Sequence, residues 1–144
     1  MLSCQPTSKS TQVESQKILA KTIITTDGEI DDIDSFIRLL LYANEMSIEG
    51  LVYSSSQWHY KGDGLGTSFT SEMQMTKELY GSRTSLRWPG TNWMQDLISA
   101  YAEVYDNLKV HDSNYPHPDE LRNQIYVGNI DFEGEMSKDT EGSN

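Results

Sequence analysis

Apolar residues along the chain alternate between strand-like and helix-like spacing. The β-branched run at residues 21–26 predicts a strand buried on both faces. Apolar residues then recur at helical spacing through 31–44, and a second strand-like run occupies 46–54. A strand, a helix and a strand within about 30 residues form a βαβ unit, which implies a parallel sheet and a right-handed crossover.

The rest of the pattern adds helices more clearly than strands. A polar, Gly-rich stretch at 55–68 predicts a long loop after the second strand, at the sheet edge where open α/β folds bind ligands. The remaining predicted elements are helices at 70–80, 92–107 and 117–121 and short strands at 84–88 and 125–129. The predicted fold class is therefore α/β, with an open, mostly parallel sheet and flanking helices.

The length of 144 residues fits a single domain, which we place at 21–144. Only two or three convincing strands occur in it, whereas doubly wound sheets have about five or six. We therefore expect the incomplete N-terminal half of a larger domain, truncated at its C-terminus. The polar residues 1–20 predict a flexible leader.

Cys4 is the single cysteine, so neither an internal disulfide nor a cysteine-based zinc site is expected. Ser3-Cys4 followed by a polar tether resembles the cleavage end of a bacterial lipoprotein signal without its apolar stretch. A signal peptide upstream would make Cys4 a lipid anchor and the domain extracytoplasmic, in the periplasm or cell envelope. If the resemblance is chance, a cytoplasmic location stays open.

The charge balance is strongly acidic, with 22 carboxylates, 11 basic side chains and a net charge of −11. This argues against nucleic acid as a partner, because phosphate binding requires a basic face. It suits a solvated protein or a cation site. No run of apolar residues reaches the length of about 18 that a membrane span requires.

Negative charge is concentrated directly after the first predicted strand, where residues 25–34 read TTDGEIDDID and hold five carboxylates. Asp27 stands where the strand ends, and a tight turn brings Asp31 and Asp32, at the start of the helix, back beside it. Converging carboxylates raise one another's pKa unless a cation neutralises them. A hard divalent ion with oxygen ligands meets that need, so the pattern predicts a metal site.

A simpler interpretation explains only part of this cluster. Asp31 and Asp32 fall in the first turn of a helix, where carboxylates interact favourably with the helix dipole, but Asp27 does not. An EF-hand loop counted from Asp27 would have Asp32 in place of its Gly and Arg38 in place of its final Glu. The EF-hand is therefore excluded.

The strand, acidic turn and apolar helix together resemble the nucleoside hydrolase signature Asp-x-Asp-Pro-Gly-x-Asp-Asp. The resemblance is closer to one branch of that superfamily, the nucleoside-hydrolase-like domain of bacterial cellulose-binding proteins, in its N-terminal portion only. It extends from about residue 21 to the C-terminus. Four further stretches carry it: IRLLLYAN at 37–44, YSSSQWH at 53–59, RWPG at 87–90 and GNIDFEGE at 128–135.

This resemblance implies a calcium-dependent hydrolase of N-glycosyl or related sugar bonds, acting on a sugar, a nucleoside-like molecule or a polysaccharide. Asp27 matches the family aspartate that binds Ca²⁺ and activates the metal-bound water, and Asp32 matches a second calcium ligand. Asp31 matches the residue that holds the ribose hydroxyls. Gln57 lies near the position of a ribose-contacting Asn in the family.

The loop after the second strand supplies two more candidates for substrate binding. The family's leaving-group acid is typically a histidine, and of the three in this chain only His59 lies at the predicted binding edge. A hydrogen bond within the loop is the commoner role for such a residue. Trp58 would stack on a sugar or base, or pack at the rim.

Two departures from the signature bear on activity. Thr25 stands where the family has Asp, and Gly28-Glu29 stands where it has Pro-Gly, which changes the turn and adds a charge. The family takes its other calcium ligands and its leaving-group acid from later strands, so we expect this chain alone to be inactive. The alternatives are a non-catalytic carbohydrate-binding domain of cellulose type and an inert fragment.

Overall fold

The computed structural model describes residues 18–134 and 139–144 and contains a three-stranded sheet in which every strand pair is parallel. Cys4 and most of the predicted leader lie outside the described residues. The strands, in sheet order, are β1 (Ala20–Thr26), β2 (Met46–Tyr53) and β3 (Ile125–Val127). The last residues of the three strands are paired in register, so their carboxyl ends form one level edge.

Four α-helices flank this sheet. They are α1 (Ile30–Leu41), α2 (Gln74–Tyr80), α3 (Trp93–His111) and α4 (Pro118–Asn123), with short 3-10 turns at Ala43–Glu45 and Glu141–Ser143. Helix α1 forms the predicted crossover between β1 and β2, and the predicted α/β class is confirmed. None of the described helices combines the length and apolar character that crossing a membrane requires.

The hydrophobic core lies against one face of the sheet. Leu51 and Tyr53 alternate along β2, point to the same face and are buried. Helices α1 and α3 cover that face and touch each other where the rings of Phe36 and Trp93 meet edge-on, with centroids 5.3 Å apart. The buried core residues are Phe36, Leu40, Leu51, Tyr53, Trp93, Met94, Ile98, Tyr101 and Leu121.

The prediction that the first strand is buried on both faces is wrong. Ile23 is 67% exposed and Thr25 is also exposed, because β1 forms the edge of the sheet and its second face is open. Of the described residues, Gly142 packs on that second face, where a Cβ would approach Val52 to 2.7 Å. β-Branched residues indicate a strand, but they do not indicate how many of its faces are covered.

The strand predicted at 84–88 is also wrong. Its main contact is an isolated antiparallel bridge in which Leu86 and Tyr60 exchange two backbone hydrogen bonds of 2.9 Å. Arg87 follows with a φ of 44° and Gly90 with a φ of 98°, and such left-handed conformations turn the backbone out of a strand. The segment therefore packs as a loop against the loop that follows β2.

That loop is held in place by the segment after β3. Ser55 N–H donates to the carbonyl of Asn129 over 2.6 Å, and Lys61 N–H donates to the carbonyl of Ile130 over 2.8 Å. These two hydrogen bonds bracket residues 56–59. The loop is thereby fixed at the carboxyl edge of the sheet, beside the end of β1.

Candidate cation and sugar site

The acidic turn begins where β1 ends and is shaped by Gly28. Gly28 has a φ of 73°, and a Cβ at this position would lie 2.8 Å from Trp93 Nε1 and 2.9 Å from Pro89 Cγ. The turn reverses the chain so that α1 starts beside Asp27, whose Oδ1 accepts a hydrogen bond of 3.2 Å from Glu29 N–H. This bond fixes the Asp27 carboxylate at the sheet edge.

The structure brings Asp27 and Asp32 together in a carboxyl–carboxylate hydrogen bond. This bond, followed by burial and by the charges of Asp27 and Asp31, raises the pKa of Asp32 to about 6. Burial acts to raise the pKa of Asp27, but hydrogen bonds from Asp32, Ser56 and the Glu29 N–H outweigh it and lower that pKa. Below about pH 6, a shared proton therefore joins two groups that would repel each other if both were charged.

His59 lies against the same cluster. Ser56 N–H donates to the carbonyl of His59 over 2.8 Å, and this tight turn aims the imidazole at the end of β1. His59 Nδ1 is 3.7 Å from Asp27 Oδ2 and 3.9 Å from Glu29 Oε1. The side chain is only 5% exposed, and Nδ1 has no hydrogen-bond partner among the described residues.

The other predicted substrate contacts lie at the margin of the cluster. Gln57 Oε1 accepts a 2.8 Å hydrogen bond from the Thr76 hydroxyl, and the Trp58 ring meets Tyr80 edge-on, with centroids 6.2 Å apart. Both side chains therefore contact α2. Asp31 is exposed in the first turn of α1, and its charge reaches Asp32. The substrate-binding roles of these residues stay predictions.

Two residues of the cluster were not among the predicted site residues, although both lie in stretches that carry the family resemblance. Ser56 forms a side-chain hydrogen bond with Asp27, and Arg87 Nη2 lies 3.8 Å from Glu29 Oε1. Ser56 could have been suspected, because it follows β2 at the binding edge. Arg87 reaches the site from a loop whose path no local pattern predicts.

The Asp27–Asp32 pair has the chemistry that a hard divalent cation requires. Two carboxyl groups in contact offer several oxygen atoms, and a cation can replace the proton they share. Asp32 also lines a hollow of about 180 Å³ between β1 and α1. A larger cavity, about 510 Å³, lies at the opposite end of the sheet near Met46. Chemistry, and not cavity size, therefore distinguishes the site.

The shared proton makes a prediction about stability without any metal. The pKa of Asp32 is higher in the folded chain, about 6, than its ordinary value of 3.8. Its stabilising contribution is therefore full below pH 3.8 and lost as the pH rises through about 6. Asp32→Asn keeps a donor to Asp27 at every pH. We expect it to stabilise the chelator-treated protein near pH 8 by about 1 kcal/mol after solvent screening, a shift of a few degrees.

Thermal unfolding of wild type and Asp32→Asn in a chelator, at about pH 8 and about pH 4, measures this effect. The gain should be largest at the higher pH. Asp34→Asn, an exposed position on α1, is the matched control. An equal shift at both pH values, or the same shift in Asp34→Asn, would contradict the shared proton.

Comparison with known proteins agrees with this architecture. The family described as cellulose-binding Sde182, nucleoside hydrolase-like domain, has a sequence model that matches residues 21–144. No curated protein and no solved structure gives a significant match. The matched residues include β2, β3, all of β1 except Ala20, the acidic turn and the loop that carries His59. The chain therefore belongs to the cellulose-binding Sde182 family, as its nucleoside hydrolase-like domain.

Proposed function

We propose that this domain hydrolyses N-glycosyl or related sugar bonds with calcium as its cofactor. The observation that carries the proposal is the contact between Asp27 and Asp32 at the carboxyl edge of the sheet. Both residues occupy positions of the nucleoside hydrolase signature, and the chain belongs to a nucleoside-hydrolase-like family. A carboxylate pair at this edge is suited to bind a cation next to a small ligand.

Asp27 and Asp32 would hold the calcium ion through their carboxylate oxygens. When bound, the ion supplies Lewis acidity that makes water a nucleophile near neutral pH. The lowered pKa of Asp27 keeps its carboxylate ionised, as binding a cation and accepting a proton both require. Glu29 N–H, which donates to Asp27 Oδ1, fixes the direction in which that proton is accepted.

The proposed reaction breaks one bond and forms one. The oxygen of a water molecule bonds to the anomeric carbon as the glycosidic bond breaks through an oxocarbenium-like sugar. Asp27 accepts a proton from the water, and the nucleobase leaves with the bonding electron pair and takes a proton from solvent. Asp31, exposed at the first turn of α1, would accept hydrogen bonds from the sugar hydroxyls and orient the ring.

A second candidate function is carbohydrate binding without catalysis. It is favoured by Glu29, whose carboxylate faces His59 and Arg87 and adds charge beside Asp27 where the family signature has glycine. The cellulose-binding description of the family is consistent with it. In this case the carboxyl edge of the sheet binds a sugar, but the Glu29 side chain keeps the reacting water away from the anomeric carbon.

Incubating a protein that carries the whole family domain with a panel of ribonucleosides, with Ca²⁺ or with a calcium chelator, separates the two functions. Release of free sugar that requires Ca²⁺ supports hydrolysis. Retention on insoluble cellulose without release of sugar supports binding alone. If the protein neither releases sugar nor is retained on cellulose, both proposals are contradicted.

A further inference from the structure

We propose that Asp27, Glu29 and His59 form a cation site of their own, suited to a divalent transition metal such as Zn²⁺. This site goes beyond the proposed hydrolase. It shares Asp27 with the proposed calcium site, but it replaces Asp32 by a glutamate and an imidazole. The side chains of Glu29 and His59 have no part in the calcium chemistry proposed above, so the two sites can be tested separately by changing side chains.

Distances among the ligand atoms suit this proposal. One oxygen from each carboxylate and one ring nitrogen of His59 all lie within 4.8 Å of one another. The imidazole Nδ1 is 3.7 Å from Asp27 Oδ2 and 3.9 Å from Glu29 Oε1. Metal–ligand bonds of about 2.0–2.2 Å place neighbouring ligand atoms about 3–3.5 Å apart. Small side-chain rotations therefore close the site without movement of β1.

The buried imidazole is an independent indication of a ligand. His59 Nδ1 is shielded from solvent and has no hydrogen-bond partner among the described residues, a state that costs about 1–3 kcal/mol for a polar atom. Its separations from the two carboxylates exceed hydrogen-bonding range. A metal ion between the three groups would satisfy the nitrogen lone pair and both carboxylate charges at once.

The ligand types select the class of metal. Calcium takes oxygen ligands, whereas imidazole nitrogen binds zinc and its first-row neighbours. A set of one imidazole and two carboxylates therefore favours Zn²⁺ over Ca²⁺, and the Asp27–Asp32 pair favours the reverse. The chain contains a single cysteine, Cys4, which lies outside the described residues, so the zinc ligands proposed here are nitrogen and oxygen atoms.

Arg87 is the charged group that competes with a metal at this position. Its Nη2 lies 3.8 Å from Glu29 Oε1, where it already balances part of the negative charge. The guanidinium side chain is 47% exposed, so it can turn into solvent when a metal takes its place. The group that a metal would have to displace is therefore the Arg87 guanidinium and not a packed core side chain.

Isothermal titration of the full chain with Zn²⁺, after removal of any purification tag, tests the proposal. We expect one site, with affinity lowered at least about tenfold in Glu29→Gln and in His59→Gln. The matched controls are Glu103→Gln and His111→Gln, which lie exposed on α3 and should leave the affinity unchanged. Equal affinity in wild type, Glu29→Gln and His59→Gln would overturn the site.

Two further measurements keep the test decisive if a variant misfolds. Pulsed electron paramagnetic resonance of the Cu²⁺-loaded wild-type chain should show coupling to an imidazole nitrogen, and its absence would overturn the proposal. Asp32→Asn should weaken binding of Ca²⁺ by a larger factor than binding of Zn²⁺. Loss of both affinities by the same factor in Asp32→Asn would contradict separate sites, whereas Zn²⁺ binding without any Ca²⁺ binding would support this site and contradict the calcium proposal alone.

Discussion

Asp27→Asn, introduced into a protein that carries the whole family domain, is expected to lower calcium-dependent release of sugar from nucleosides by about 100- to 10,000-fold. An amide cannot accept the proton of the attacking water, and it offers one oxygen where the carboxylate offers two. The fold should survive, because the Asn side-chain oxygen can still accept the hydrogen bond from Glu29 N–H. Initial rates with a saturating ribonucleoside, for the wild type and the variant side by side, measure the effect.

The control for this variant is Asp34→Asn, which removes the same charge from an exposed position on α1. Its rate should equal that of the wild type. Matching circular dichroism spectra would establish that both variants are folded. An Asp27→Asn protein that keeps more than about a tenth of the wild-type rate would remove Asp27 from the reaction.

Gly28→Ala is expected to destabilise the domain by about 2–5 kcal/mol. The backbone at Gly28 has a φ of 73°, which disfavours any residue with a Cβ. That Cβ would also lie 2.8 Å from Trp93 Nε1 and 2.9 Å from Pro89 Cγ, so α3 and the preceding loop would have to shift. The loss is a large part of the 5–15 kcal/mol that typically stabilises a domain. Urea unfolding measures it.

Gly64→Ala separates the two causes of that loss. Gly64 has the same φ of 73°, but a Cβ there has no atom within 4 Å. It should cost only the conformational penalty of about 1–2 kcal/mol. If Gly28→Ala and Gly64→Ala lower the free energy of unfolding equally, the close contact of the turn with Trp93 and Pro89 contributes nothing to the loss.

Local patterns in the sequence predicted the sheet and its crossover helix. The apolar spacing of 31–44 indicated α1 at Ile30–Leu41, and the run at 46–54 indicated β2 at Met46–Tyr53. Patterns did not predict what covers each face, because Ile23 and Ile24 have the same strand propensity although Ile23 is exposed and Ile24 packs against the core. Coverage is a property of distant segments, so a local pattern does not contain it.

The same distinction applies to the site. Asp27 at a strand end and Asp32 in the first turn of the next helix are close by the geometry of any βαβ unit, and the sequence contained that relation. The place of His59 depends on hydrogen bonds from its loop to Asn129 and Ile130, about 70 residues along the chain. The ion pair between Glu29 and Arg87 likewise depends on a distant loop, in which Arg87 has a positive φ of 44°.

Calcium titration of the wild-type chain and of Asp32→Asn by calorimetry tests most directly whether the acidic turn is a cation site. Near pH 8 both carboxyl groups of the wild-type pair are ionised, since the pKa of Asp32 is about 6. We expect the wild type to bind one Ca²⁺ and Asp32→Asn to bind it at least about tenfold more weakly. A wild-type chain that binds no Ca²⁺ at this pH, or an Asp32→Asn chain that binds it equally well, would contradict the account.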